Sequence, residues 1–140
     1  MSSTVPPAPR AKILVADDNP QILELIEAYL EPLGAAVVTT SDGQSALDAV
    51  EFERPDLILL DIMMPKRSGF EVCRMLKEDP RYREIPILMV TALNEVGDTE
   101  RARECGADAF ISKPVNKLDL LGRVQNLLAR RGGENNAPPV

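Results

Sequence analysis

Five residues in this chain carry side chains suited to handling a metal ion and a phosphoryl group: Asp17, Asp18, Asp61, Thr91 and Lys113. Each ends or follows a short apolar run. Three carboxylates drawn into one crevice cannot all stay ionised without a counter-charge. Mg²⁺ supplies one, since it prefers oxygen ligands and typically keeps several waters beside one or two carboxylates and a phosphate oxygen. Lys113 adds a fixed positive charge and Thr91 a hydroxyl. A carboxylate so placed can attack a phosphoryl donor and become an aspartyl-phosphate. The chain has no histidine. That excludes imidazole bases, phosphohistidine carriers and nearly all tetrahedral zinc sites. A plainer reading makes Asp17-Asp18-Asn19 a helix cap and Asp61 a turn residue ahead of Pro65. For Asn19 the cap is preferred; for the rest it leaves four polar strand ends as coincidence.

The elements that must position these residues are legible as alternating patterns. Short, mostly continuous apolar runs predict strands at Lys12 to Ala16, Ala35 to Thr39, Asp56 to Leu60, Ile85 to Val90 and Asp108 to Ile111. Continuous runs imply a sheet covered on both faces, hence a parallel one. Ile22, Ile26, Tyr29, Leu30 and Leu33 stand at helical spacing between Asn19-Pro20 and Gly34, which marks the first helix. Further helices are predicted from about Asp42 to Phe52, Ser68 to Lys77, Asp98 to Cys105 and Asn116 to Ala129, with ends good to about 2–4 residues. Five β/α units result, a doubly wound α/β domain. Right-handed crossovers put the carboxyl ends of all strands on one edge. In the order 2-1-3-4-5, strands one and three meet at the switch point, where Asp17, Asp18 and Asp61 share a crevice.

Bulk properties narrow the class. The 140 residues suit one domain, residues 11–130, between Pro-rich or Gly/Asn-rich tails at 1–10 and 131–140 that read as disordered. A net charge of -6 has the wrong sign for gripping nucleic-acid phosphates, so direct nucleic-acid contact is not expected. No apolar run approaches the roughly 20 residues that cross a bilayer. The start lacks a secretory apolar stretch, and a cytoplasmic location is expected. Cys73 and Cys105 form no CxxC and read as small core fillers.

With the motifs in view, the chain resembles the receiver domains of two-component response regulators. The matching pieces are VADDNP at Val15 to Pro20, LLDIMMP at Leu59 to Pro65, the SGFEV after it, VTA at Val90 to Ala92, and GADAFISKP at Gly106 to Pro114. They span nearly all of the chain outside the tails. The resemblance implies the flavodoxin-like (βα)5 receiver fold, with Asp61 as phosphoacceptor and Asp17 and Asp18 organising Mg²⁺ with it. It implies the backbone carbonyl of Met63 as a further ligand, contacts from Thr91 and Lys113 to the phosphoryl group, and a cis Lys113-Pro114 peptide. The donor is then a phosphohistidine on a sensor histidine kinase or a phosphotransfer protein. Phe110 matches the family's aromatic switch position, coupling the site to an outer face of fourth helix, fifth strand and fifth helix where a downstream protein would dock; it reads equally well as packing on an edge strand.

Such a chain is a phosphoacceptor switch with self-phosphorylation and autodephosphorylation chemistry rather than a turnover enzyme. Met63 and Leu93, two residues beyond Asp61 and Thr91, match positions that in the family it resembles flank the path of the hydrolysing water. Both are bulky and apolar, which predicts a long-lived phosphorylated state, while small Ala92 leaves a donor room. In the last helix, Leu118, Leu121 and Leu128 make an apolar row that Leu120, Val124 and Leu127 widen, a candidate dimer surface on phosphorylation or simply a deeply packed face. Haloacid-dehalogenase-like enzymes place a general-acid Asp two residues after their nucleophile, where this chain has Met63. Flavodoxin-like cofactor binding is opposed by the carboxylates after the first strand. The remaining rival is a receiver-shaped docking module that never needs phosphate, and nothing in docking requires all five residues together.

Overall fold

The computed structural model describes residues 10–92, 100, 101 and 103–133. Its strands are β1 (Lys12–Ala16), β2 (Ala36–Thr40), β3 (Leu57–Leu60), β4 (Ile87–Thr91) and β5 (Ala109–Ser112). The helices are α1 (Pro20–Leu30), α2 (Gly43–Glu53), α3 (Gly69–Lys77), α4, described at residues 100, 101, 103 and 104, and α5 (Lys117–Gly133). All strand pairs are parallel and the order is β2-β1-β3-β4-β5.

Each strand splits its side chains between two cores because successive residues point to opposite faces. Leu14, Ala16, Ile58, Leu60, Ile87 and Met89 join Ala46 and Val50 of α2 and Val72, Cys73 and Leu76 of α3. Ile13, Val15, Leu57, Leu59, Leu88 and Val90 join Ile26 and Leu30 of α1 and Leu120, Val124 and Leu127 of α5. Both faces are therefore apolar, which is why the runs read as continuous rather than alternating.

Element ends differ from expectation for local reasons. Helix α1 stops at Leu30 and a 3-10 turn, Glu31–Leu33, carries the chain to Gly34 at φ 68. Pro32 lacks the N–H needed to continue α-helical bonding, and the left-handed Gly34 costs nothing sterically. β4 begins at Ile87, two residues later than predicted, because the Ile85 N–H bonds to the Tyr82 carbonyl and Pro86 has no N–H to offer a ladder. Helix α5 runs to Gly133, so residues 131–133, assigned by sequence to a tail, are helical. Arg10, assigned to the other tail, donates from Nε to the Gly34 carbonyl at 2.8 Å. Leu93 and positions 98, 99 and 102 of the predicted fourth helix lie outside the described residues. Among those described, no helix is long and apolar enough to cross a membrane.

The last helix corrects the expected row. Leu120, Val124 and Leu127 are the buried residues, whereas Leu118 is 78% exposed.

Candidate functional site

β1 and β3 lie side by side with Ala16 opposite Leu60, and each hands the chain directly to an aspartate. Asp17 is 2% exposed and Asp61 5%, while Asp18 is exposed. One carboxylate oxygen from each of the three lies within 4.8 Å of the others. The switch point thus gathers the acidic residues that the spacing predicts.

Backbone donors fix how the buried pair points. The Asn19 N–H donates to Asp17 Oδ1 at 2.9 Å, and the Ile62 N–H donates to Asp61 Oδ1 at 2.8 Å. That leaves each Oδ2 for Lys113, whose Nζ lies 2.7 Å from Asp17 Oδ2 and 3.5 Å from Asp61 Oδ2. Lys113 is therefore held chiefly by Asp17, with Asp61 in second place. Asp18 makes no hydrogen bond or ion pair among the described residues.

Burial, then the neighbouring Asp17 charge, push the Asp61 carboxyl above its ordinary pKa, more than Lys113 and the Ile62 N–H pull it down. Burial alone would lower the Lys113 pKa, yet the hydrogen bond to Asp17 and the charges of Asp61 and Asp17 carry it upward. Three carboxylates against one ammonium leave two negative charges uncompensated. A hard dication with oxygen preference fits that donor set.

The loop from β3 to α3 is clamped at both ends. Ser68 caps α3 by accepting from the Glu71 N–H, and Glu71 returns a bond to the Ser68 N–H. The Gly69 N–H donates to the Ile62 carbonyl at 2.8 Å, and a Cβ on Gly69 would collide with the Asp61 carbonyl oxygen. Between them, Lys66 has φ 71 and the Arg67 N–H closes back on the Pro65 carbonyl at 2.8 Å, a tight and strained turn. Sequence reading used the Ser-Gly pair only as part of a motif. Its reason, close approach of α3 to the Asp61 backbone, is invisible until β3 and α3 are in place.

The other predicted residues fall into three groups. Thr91 ends β4 opposite Ser112, on the same edge as the aspartates. Met63 is 75% exposed, so it does not serve the core. Phe110 sits on β5 opposite Met89, partly buried against the α2–α3 core, with the Arg103 guanidinium 6.0 Å from its ring centre. The Lys113-Pro114 peptide is cis, as the resemblance implies. Asn19 takes its capping role, accepting from the Gln21 N–H at 2.9 Å.

Fold and site together define a doubly wound α/β domain with an acidic pocket at its switch point. The chain belongs to the response regulator receiver domain family, whose model matches residues 13–125. It is 44% identical over 119 residues to the alkaline phosphatase synthesis transcriptional regulatory protein PhoP of Bacillus subtilis, covering 85% of this chain and 49% of that one. It is 44% identical over 117 residues to the response regulator PleD of Caulobacter vibrioides, covering 84% and 26%. Among solved structures, the signal receiver domain of a signal transduction histidine kinase from Syntrophus aciditrophicus has a TM-score of 0.81 at 37% identity, covering 85% and 90%. The chain therefore spans about half or less of these curated relatives. Receiver domains are the phosphoacceptor modules of two-component signalling, and they use Mg²⁺ at an acidic pocket. PhoP is named a transcriptional regulatory protein, so the comparisons do not support the expectation of no nucleic-acid contact.

Proposed function

We propose that Asp61 accepts a phosphoryl group from a phosphohistidine, on a sensor histidine kinase or a phosphotransfer protein, and that the acceptance is Mg²⁺-dependent. The observation that carries this reading is the buried Asp17–Asp61 pair with Lys113 Nζ reaching both carboxylates. Asp17, Asp18, Asp61 and the Met63 carbonyl are the residues that would hold the ion. Bound there, Mg²⁺ neutralises charge on the oxygens of the transferring group. In this reading Asp61 Oδ2, the oxygen that faces Lys113, is the nucleophile, while the Ile62 N–H holds Oδ1. Once Asp61 becomes an acyl phosphate its carboxylate charge no longer holds Lys113, which is then drawn to the new phosphoryl oxygens. Thr91, at the end of the neighbouring strand, supplies a hydroxyl to one of those oxygens. Asp17 keeps Lys113 in reach throughout.

In this reading Phe110 relays the change to the α4–β5–α5 face, where a downstream protein docks and where phosphorylation favours a homodimer. Such a change biases an equilibrium already present in the free protein. In the same reading the switch works in the cytoplasm. The test is intact mass after incubation with acetyl phosphate, with and without Mg²⁺, for the native chain and Asp61→Asn. A Mg²⁺-dependent, hydroxylamine-labile phosphoryl adduct confined to the native chain is expected. No adduct under conditions that modify a known receiver would leave a phosphate-independent docking module as the better account.

A further inference from the structure

The groove between α3 and α4 holds ionisable chemistry that the aspartate pocket does not use. It encloses about 230 Å³, with Phe70 and Arg74 on one wall, Arg101 and Glu104 on the other, and Cys105 lining it. The Arg101 guanidinium stacks 4.4 Å from the centre of the Phe70 ring. Behind Cys105 lies Cys73 of α3, whose thiol donates to the Cys105 carbonyl oxygen with Sγ at 3.4 Å from it. The apposition is set by the backbone. The Cys105 N–H donates to the Arg101 carbonyl at 3.0 Å, and at Gly106 a Cβ would come within 3.0 Å of the Lys77 Cγ, so the end of α4 rests on α3.

The two sulfurs are not equivalent. Cys73 is fully buried, and its hydrogen bond to Cys105 together with that burial raises its pKa. Cys105 is 4% exposed and opens on the groove. The hydrogen bond with Cys73, then the backbone hydrogen bonds at Ala107 and Cys105, lower the Cys105 pKa in spite of burial. A lowered thiol pKa favours the thiolate, the reactive form of cysteine.

We infer that Cys105 and Cys73 form a peroxide-responsive dithiol, with Cys105 attacked through the α3–α4 groove and Cys73 closing the product into an intramolecular disulfide. The Cys105 thiolate attacks one oxygen of hydrogen peroxide, the O–O bond breaks, and the departing hydroxide takes a proton to become water. Cys105 is left as the sulfenic acid. The Cys73 sulfur then attacks the Cys105 sulfur, the S–O bond breaks, and hydroxide leaves with the Cys73 proton as a second water. Two electrons pass from the sulfurs to peroxide, and a small dithiol reductant returns them. The link joins α3 to the segment that leads into β5, and it depends on no phosphoryl chemistry.

The experiment uses the reduced full chain, treated with stoichiometric hydrogen peroxide, alkylated with iodoacetamide and mapped by intact mass and non-reducing tryptic peptides. Expected is a chain lighter by two hydrogen atoms, unalkylated, with one linked peptide pair containing Cys73 and Cys105, reversed by dithiothreitol. Cys73→Ala, shown folded by circular dichroism, should stop at a Cys105 sulfenic acid trapped by dimedone. Two free thiols in the native chain, under peroxide that oxidises an exposed-thiol control, would overturn the inference without recourse to any variant. So would disulfides found only between chains, or modification of Cys73 in Cys105→Ala.

Discussion

Asp61 carries its charge at a cost to the fold. Burial and the Asp17 charge raise its pKa above the ordinary 3.8, so the native state holds that proton more tightly than the unfolded chain does. Stability then declines as pH rises from the ordinary carboxyl range through the raised native value, and stays low above it. Without Mg²⁺, Asp61→Asn should therefore raise Tm at neutral pH by a few degrees, the size of about 1 kcal/mol in a domain of this length. The gain should vanish below pH 3.8, where both side chains are neutral; thermal melts across the pH range read it directly. An equal gain at every pH would mean that the charge is not its source. Gly69 is the complementary case, because its Cβ has nowhere to go but into the Asp61 carbonyl. Gly69→Ala is expected to destabilise by about 1–3 kcal/mol, as overpacking does. It should also slow acetyl phosphate labelling of Asp61 by more than the loss of folded protein accounts for.

At the scale of elements, α5 shows how far patterning reaches. Its sequence offers two interleaved leucine rows, and the structure buries Leu120, Val124 and Leu127 while leaving Leu118 in solvent. Leu120→Ala should cost about 2–5 kcal/mol in denaturant unfolding, whereas Leu118→Ala should stay within about 0.5 kcal/mol. Comparable losses at both positions would show that Leu118 is covered in solution, as a dimer through this helix would require. Which row faced the sheet could not be read from α5 alone, since the choice is made by α1 and the far faces of β1, β3 and β4. The strands were legible because both sheet faces are apolar; their order was not, and entered as a supposition that agrees with the resembled family's fold. The aspartates were legible because a charged residue ending such a run has few other uses. Strand ends were not, where Pro86 withholds a donor or Ile85 spends its own on Tyr82. Nor was the thiol pair, whose members meet only because α3 and α4 pack together.

For the whole molecule, the pocket works as a link between halves of the sheet. Asp17 and Asp18 follow β1 and Asp61 follows β3, so the cluster exists only when those strands are paired. A cation that needs all three carboxylates binds the native state alone, and its binding adds to stability by mass action. At free Mg²⁺ a hundredfold above its Kd the gain is about 2.7 kcal/mol, a Tm rise larger than the one Asp61→Asn produces by itself. The two proteins should then exchange rank: the variant melts higher in chelator, the native chain higher in excess Mg²⁺. Lys113→Ala separates the contributions further, because it removes the competing ammonium from the pocket. It should tighten Mg²⁺ binding while weakening retention of the phosphoryl group, which a merely structural lysine would not do. If millimolar Mg²⁺ shifts native chain and Asp61→Asn alike, the ion is binding elsewhere on an acidic surface, and the switch-point pocket loses its claim to it.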